Sequence, residues 1–263
     1  MITSKAIGRR RPVAEASAAT GDASSAAAAK RAAPVGHAGI GALWASLETD
    51  GLAVRTRRRQ RLAVAIDGET VYVVRSGVLA LSTSAAGHRR QILSVLFPGD
   101  VFRSAFAPPL PEIALTALTS GEVVRLRWPV IERRLACEPE LSALFTQRVA
   151  ERQARDAMHI ATISGLSGEQ RVASFLIEIA LRLGRPGAGG YAFELPLSRA
   201  DIADYLALNP DTLSRIMSRL KAKGLITLHK RGHALARSFE ALCRESPIAD
   251  ALVEMDRQAR AAG

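Results

Sequence analysis

Cysteine is scarce in this chain of 263 residues, which has only Cys137 and Cys243. Two thiols so far apart in sequence do not make a disulfide framework or a four-cysteine metal site. The scarcity is typical of proteins of the reducing cytoplasm, which is where we expect this one to work. We further expect Cys137 to be a small buried residue and not a redox sensor.

Long apolar runs are missing as well. No run of about eighteen apolar residues is present to span a bilayer, and the N-terminal region lacks the apolar core of about 7–15 residues found in secretory signals. The charge, in contrast, is one-sided: +11, with an isoelectric point of ≈ 10.7. This balance favours a polyanionic partner. Nucleic acid is the natural candidate, and an anionic membrane surface is the rival.

The chain is long enough for two domains with tails. Residues 1–41 are rich in Ala, Ser, Gly and Arg without sustained periodicity, which predicts a disordered, basic, solvated arm. The next segment, Ile40 to Leu52, is predicted to form a short helix. That helix would carry Leu43, Trp44 and Leu47 at core spacing.

Short β-rich runs follow from about Arg57 to Trp128, with turn residues between them. Strands at a spacing of about ten residues predict a barrel or a sandwich. The predicted strands are Leu62–Ile66, Val71–Val74, Val78–Leu81, Gln91–Phe97, Ile113–Leu118 and Val123–Leu126. His88 is the only histidine of the region, which argues against a metal centre of the kind held by several histidines and a glutamate.

A stretch nearer the C-terminus, LSRADIADYLALNPDTLSRIMSRLKAKG, predicts two helices joined by a tight turn. Ser198, with Asp201 three residues on, resembles the start of a capping box. Asn209 and Pro210 mark the start of the second helix, as N-cap and first helical residue. Gly224 marks its end.

The second of these helices has an apolar and a polar face. Its predicted inward residues recur at helical spacing: Leu213, Ile216, Met217 and Leu220. The opposite face carries Asp211, Thr212, Ser214, Arg215, Ser218 and Arg219. Such a helix could simply be solvated. The paired helices, the tight turn and the base-reading residue types near the second N-terminus favour a DNA-binding helix-turn-helix.

Beyond Gly224, two short apolar runs flank a basic tip, which predicts a hairpin wing. A tip of this kind suits a phosphate backbone. The full set of residues expected to contact phosphates is Ser198, Arg199, Thr212, Ser218, Arg219, His229, Lys230 and Arg231.

The stretch LPLSRADIADYLALNPDTLSRIMSRLKAKGLI resembles the DNA-binding domain of the Crp/Fnr family of bacterial transcription regulators. The branch it is most similar to is that of Fnr and FixK, with the motif L-x-S/C-R-x-D-I-A-D-Y-L-G-L-x-x-E-T-V/I-S-R. In that branch the Glu, Ser and Arg of E-T-V-S-R read a TTGAT-type half-site, which implies base reading by Asp211, Ser214 and Arg215. Asp211 is one methylene shorter than the family's Glu. The resemblance therefore does not imply which base pair Asp211 reads. Ala207 stands where the family has Gly.

The β-rich region is similar to the cyclic-nucleotide-binding-type jelly roll of the same family, through V-x-x-G-x-L and R-x-I-L-x-x-L-x-P-G-D-x-F. Members that bind cyclic nucleotides hold the ribose with G-E-x and the phosphate with R-S/T-A. Here the run Arg103-Ser104-Ala105 comes directly after the turn, too early, and Glu112 has no Gly beside it. We therefore expect no cyclic nucleotide. The family's iron–sulfur members need N-terminal cysteines, and none precedes Cys137, so we expect no cluster, no metal and no other cofactor.

A helix over 136–164 is predicted to pair with its copy, as in the family, which implies a homodimer. Its apolar positions are Leu141, Leu144, Phe145, Val149, Met158, Ile160 and Ile163, and its middle is interrupted by Arg152, Gln153, Arg155 and Asp156. The alternative is a helix that packs only on its own barrel. Dimerisation is favoured because two copies would also explain two half-sites about one DNA turn apart.

The predicted fold class is α+β, with an N-terminal cyclic-nucleotide-binding-type jelly roll, a long dimerisation helix and a C-terminal winged helix-turn-helix. Ser167 and Gln170 predict a capping box at the start of the last of these. The predicted division is an arm (1–41), a sensor domain (42–135), a dimerisation helix (136–164), a DNA-binding domain (165–240) and an extension without an assigned role (241–263).

Together these features predict a cytoplasmic, homodimeric transcription regulator that binds a palindromic DNA site, with RNA polymerase as a further partner and no membrane association. The alternative is a regulator gated by a cyclic nucleotide or another small ligand through a diverged pocket. A barrel enzyme with an accessory domain is less well supported, because no set of acid, base and nucleophile converges in the sequence.

Overall fold

The computed structural model describes residues 46–47, 49–64, 69–85, 89–110, 112–187, 190–229 and 233–261. The predicted arm over 1–41 lies outside these residues, as do His88, Lys230 and Arg231. The chain divides into two compact units, Met1–Val35 and Gly36–Gly263, and every described residue belongs to the second.

The N-terminal part of the described chain is a β-barrel made of two antiparallel four-stranded sheets, with strand orders β1-β8-β3-β6 and β2-β7-β4-β5. The strands are β1 (Leu52–Thr56), β2 (Arg61–Leu62), β3 (Thr70–Ser76), β4 (Leu79–Ala85), β5 (Arg89–Leu96), β6 (Val101–Arg103), β7 (Ala114–Ala117) and β8 (Gly121–Arg127). Apolar side chains of both sheets form one buried cluster, which includes Leu62, Tyr72, Val74, Leu79, Leu81, Leu96, Phe102, Leu115 and Val123. The predicted jelly-roll architecture is confirmed.

The first strand was not predicted. Leu52, expected to end a helix, begins β1 and pairs with Arg125 of β8, and helix is described only at Ser46 and Leu47. Leu52 and Ala53 are both exposed, so this strand lacks the alternation of buried and exposed residues that makes a strand visible in a sequence.

Two helices follow the barrel, α1 (Trp128–Cys137) and α2 (Pro139–Gly165). Glu138 separates them in an extended conformation, as expected for a residue before proline. The predicted helix over 136–164 is thus observed from Pro139, and α1 covers residues 128–135 of the predicted sensor domain together with 136–137 of the predicted helix. Cys137 is exposed at the end of α1, so the expectation of a buried thiol there is wrong; Ile131 is the residue that α1 buries.

The apolar positions of α2 face the protein's own core. Leu141 and Phe145 are buried in a cluster with barrel residues, and Leu144 and Val149 pack against the same cluster. Ile160, in contrast, is 62% exposed. The predicted apolar seam is therefore largely covered within the chain, and another face of α2 is turned outward. The exposed residues of that face include Ala143, Thr146, Ala150, Gln153, Ala157 and Ile160.

The C-terminal domain is a winged helix-turn-helix with two further helices. Its elements are α3 (Gly168–Leu183), β9 (Arg185–Gly187), β10 (Gly190–Glu194), α4 (Arg199–Leu206), α5 (Pro210–Ala222), β11 (Ile226–Leu228), β12 (His233–Ala236), α6 (Phe239–Cys243) and α7 (Ala249–Ala261). The predicted capping box of Ser167 and Gln170 is present at the start of α3. Helix α7 forms most of the C-terminal extension and packs against α3 through the buried Leu252.

This domain and the barrel share one hydrophobic cluster. Ala80 and Ile92 of the second sheet, and Phe97 directly after β5, belong to the same buried cluster as the residues of α3, α4 and α5. Helix α4 lies next to strand β5. The packing against the barrel therefore fixes where the helix-turn-helix sits.

Candidate nucleic-acid interface

Helix α4 begins at a complete capping box. The backbone N–H of Asp201 donates to the Ser198 hydroxyl, and the Asp201 carboxylate accepts from the backbone N–H of Ser198 at 3.1 Å. The same carboxylate accepts from Arg90 of β5 at 2.6 Å. The cap that starts the helix-turn-helix is therefore also an anchor to the barrel.

The turn between α4 and α5 follows the predicted residues, with one strained position. Asn209 caps α5 by accepting from the backbone N–H of Asp211 at 2.9 Å, and Pro210 is in the first helical turn. Ala207 has φ 53° and ψ 43°, in the left-handed region that favours glycine. The family's Gly at this position thus has a direct conformational reason. In this chain Ala207 adopts the same left-handed conformation without being glycine.

Helix α5 buries one face and exposes the other, as predicted. Leu213, Ile216, Met217 and Leu220 are each at most 2% exposed. The exposed residues are Asp211, Thr212, Ser214, Arg215, Ser218 and Arg219. Leu213 and Ile216 hold the helix against the domain core, so its polar face has little freedom to turn inward.

The exposed side chains of this face differ in what they already bind. Arg219 pairs with Glu169 at the start of α3 at 2.7 Å. The Ser218 hydroxyl donates to the Ser214 carbonyl at 2.9 Å. Arg215 and Asp211 make no side-chain hydrogen bond or ion pair within the part of the chain that the structure describes. Arg215 is therefore a free guanidinium, available for a ligand.

The remaining predicted phosphate contacts lie on either side of α5. Arg199 and Thr212 are exposed, whereas the Ser198 hydroxyl is already engaged in the capping box. Strands β11 and β12 pair as the predicted wing, and His229 at its edge is exposed. Lys230 and Arg231 at the tip lie outside the described residues.

A buried ionic junction links the barrel to the DNA-binding domain, and the sequence-based predictions did not include it. Asp100, in the turn between β5 and β6, accepts from Arg155 of α2 at 2.5 Å and from Arg182 of α3 at 2.9 Å. Its second oxygen accepts from the backbone N–H of Phe97 at 2.8 Å. Burial alone would raise the pKa of Asp100, but Arg155 and Arg182 outweigh it and hold the pKa well below its usual range. In the sequence, the only indication of this junction was the run of charges that interrupts the apolar positions in the middle of α2.

His159 of α2 lies beside this junction. Its ring stacks on Tyr205 of α4 with centroids 3.9 Å apart, and burial lowers its pKa to about 4, with Asp156 acting in the opposite direction. The Nε2 atom of His159 and the Nε atom of Arg155 are buried without a hydrogen-bond partner among the described residues. The two cavities here measure ≈ 20 and ≈ 30 Å³. Each is large enough for about one or two water molecules.

Arg103, which echoes the family's phosphate-binding segment, is already occupied. Its guanidinium pairs with Glu69 and lies 3.4 Å from the centre of the Trp128 ring. The Ser104 hydroxyl accepts from the backbone N–H of Thr70 at 2.9 Å. Both polar groups are therefore engaged at the start of the neighbouring strand β3.

Within the described ranges, no group of three or more His, Cys, Asp or Glu residues is arranged to hold a metal ion. None of the helices described there combines the length and the apolar character needed to cross a bilayer.

A winged helix-turn-helix docked on a cyclic-nucleotide-type barrel defines a class of DNA-binding transcription regulators. The Crp-like helix-turn-helix domain matches residues 170–245. The chain is 34% identical to the nitrogen fixation regulation protein FixK of Azorhizobium caulinodans, over 67% of this chain and 71% of that protein. It is 32% identical to FixK of Rhizobium meliloti, over 60% of this chain and 69% of that protein.

The solved structure of FixK2 from Bradyrhizobium japonicum is similar, with a TM-score of 0.65 and 25% identity, over 74% of this chain and 97% of that one. The chain belongs to the Crp/Fnr family, in its FixK-like branch, and is a DNA-binding regulator of transcription.

Proposed function

We propose that this regulator binds a palindromic DNA site as a homodimer, with Asp211, Ser214 and Arg215 reading the bases of each half-site. The observation that carries the proposal is the free, exposed Arg215 on a helix whose other face is buried. The guanidinium fork can donate to both O6 and N7 of guanine, and a short carboxylate can accept from cytosine N4. Ser198, Arg199, Thr212, Ser218, Arg219 and the wing residues 229–231 then contact phosphates.

The homodimer forms through the outward face of α2. Ala143, Ala150 and Ala157 recur every seven residues, and Thr146, Gln153 and Ile160 follow the same repeat. A seven-residue repeat of this kind keeps one seam of a helix against a partner helix. Its small residues permit a close approach of two copies, and two copies present two α5 helices to successive turns of the duplex.

In this proposal the protein is not an enzyme and needs neither a cyclic nucleotide nor an iron–sulfur cluster. It works in the cytoplasm, where it contacts RNA polymerase. Its lack of a nucleotide effector is supported by Arg103, whose charge is neutralised by Glu69. The alternative is a regulator gated by a small ligand in a diverged pocket. Isothermal calorimetry with cyclic AMP and cyclic GMP separates the two, since micromolar binding would support the alternative.

The test of base reading is selection of bound sequences from random duplexes, followed by affinity measurements on the selected site. Arg215→Ala should weaken binding to that site by about 1–3 kcal/mol and relax its sequence preference. Arg133→Ala, which removes an exposed arginine of α1, is the matched control and should change neither. Equal weakening of selected and random DNA by Arg215→Ala would contradict the assigned role.

A further inference from the structure

Helix α7 lies beyond the matched Crp-like domain and is attached to that domain at both ends. Just before α7, the hydroxyl of the buried Ser246 lies 2.8 Å from the Ser174 hydroxyl of α3. Near its end, Arg260 donates to the Leu181 carbonyl of α3 at 2.7 Å and pairs with Asp256 of α7 at 2.6 Å. Helix α7 is therefore held along the length of α3.

One face of α7 is apolar and covered. Ala249 and Leu252 are 5% and 9% exposed, and both belong to the hydrophobic cluster that the barrel shares with the DNA-binding domain. Asp250 and Arg257 lie on the opposite, exposed face. This division into two faces is that of a helix which packs on a fixed surface, and not that of a solvated tail.

The covered face of α7 also meets α2. Met255 lines the first of the two small cavities together with His159 of α2, and Asp256 lines the second together with Arg155 of α2. Residues of α3 line both cavities as well. Because the cavities measure only ≈ 20 and ≈ 30 Å³, the three helices pack around the ionic junction with little free space.

The position of α7 matters because the link between α2 and α3 is short and exposed to bending. Only Leu166 and Ser167 separate the two helices, and Gly165 ends α2 with open space around its α-carbon. A two-residue link does not by itself fix the angle between two helices. Helix α7 packs into this angle from the side and braces it.

We propose that α7 is a latch that fixes the orientation of the DNA-binding domain relative to α2, and through α2 the relative placement of the two α5 helices in the dimer. This inference rests on the proposed homodimer and deepens it. Once one α5 helix is bound, binding of the second is intramolecular, and its strength depends on whether the geometry lets it reach its half-site. A domain that is already oriented loses less conformational entropy at that step.

The test compares affinities for the palindrome selected by the wild-type protein and for one of its half-sites, measured by fluorescence anisotropy. The latch variant, Leu252→Ala/Arg260→Ala, removes the apolar anchor of α7 and its bond to α3. A chain that ends at Ile248 lacks α7 altogether. The matched control is Glu254→Ala/Arg257→Ala, which removes an exposed ion pair from the same helix. Circular dichroism and sedimentation verify that each protein is folded and dimeric.

The expected change is in the gain from the second half-site. In the wild type this gain is roughly 10²–10⁴-fold, and the latch variant and the shortened chain should each lose about tenfold or more of it while keeping the half-site affinity. The control should keep the whole gain. A smaller folded fraction would weaken binding to both duplexes equally, so the ratio of the two affinities reports orientation and not stability.

A second measurement uses palindromes with one base pair inserted between the half-sites, which rotates one half-site by about a tenth of a turn relative to the other. A rigidly oriented pair of α5 helices tolerates this rotation poorly. The insertion should therefore weaken binding by the wild type and the control more than binding by the latch variant.

An unchanged gain in the shortened chain, or an equal loss in the latch variant and the control, would overturn the latch. If the wild type binds the palindrome no better than the half-site, the proposed dimer function fails instead. Hydrogen exchange tests the latch separately: the backbone amides of residues 155–162 in α2 should exchange about tenfold or more faster in the latch variant than in the control. Equal exchange in the two proteins would show that α7 does not brace α2.

Discussion

At the residue scale, Ala207 is a strained backbone position in the helix-turn-helix. A non-glycine residue in the left-handed region costs about 1 kcal/mol or more. Ala207→Gly should therefore raise the free energy of unfolding by about 1 kcal/mol, measured by urea denaturation. The matched control is Ala222→Gly at the end of α5, which replaces a helical alanine and should lower it by about 0.5–1 kcal/mol. A loss of stability in Ala207→Gly would show that the strain is relieved elsewhere.

His159 sets a second prediction at this scale. Its pKa is about 4 in the fold, against 6.5 for an unperturbed histidine, because burial disfavours the charged ring. The unfolded chain thus binds a proton first as the pH falls, so the contribution to stability is complete above pH 6.5 and declines toward pH 4. The difference corresponds to roughly 3 kcal/mol.

His159→Phe keeps a ring against Tyr205 and removes this titration. The variant should lose less stability than the wild type between pH 6.5 and 4.5, measured by urea denaturation at several pH values. Parallel curves for the two proteins over that range would mean that His159 is hydrated or protonated in the fold.

At the scale of elements, Asp100 joins three of them: the β5–β6 turn, α2 and α3. Asp100→Asn keeps the shape but leaves Arg155 and Arg182 buried without their counter-charge, which should cost about 3–5 kcal/mol of stability. Because the folded pKa of Asp100 lies below its unfolded value, the wild-type advantage should be full above about pH 4 and shrink as the pH falls further. Glu240→Gln, in an exposed pair with Arg244, is the control and should change stability by less than about 0.5 kcal/mol.

The local features of the elements were predictable, and their mutual packing was not. The capping boxes at Ser167 and Ser198, and the split of α5 into two faces, follow from short-range hydrogen bonding and helical period. The sequence did not predict which face of α2 packs on the barrel, because Leu141 and Phe145 would suit a partner helix equally well. The fold distinguishes the two arrangements: Leu141 and Phe145 pack on the barrel, and the alanines of α2 are exposed.

At the scale of the whole molecule, the proposed homodimer depends on the outward face of α2. Ala150→Glu would place two like charges across the proposed seam, so the variant should sediment as a monomer in analytical ultracentrifugation at concentrations where the wild type is a dimer. It should also bind a palindrome no better than a single half-site. Ala136→Glu, exposed on α1, is the control and should leave the dimer intact. A dimeric Ala150→Glu variant would place the interface elsewhere.

The shared cluster of the barrel and the DNA-binding domain has a practical consequence for anyone who treats this regulator as modular. Ile92 and Phe97 are 0% and 2% exposed in a hydrophobic cluster that also includes Phe175 and Tyr205 of the DNA-binding domain. A DNA-binding domain cut out as residues 165–240 would expose apolar surface to water. The same domain fused to an unrelated sensor domain would expose that surface too. Chimeras should therefore transplant the matching strand surface along with the helices.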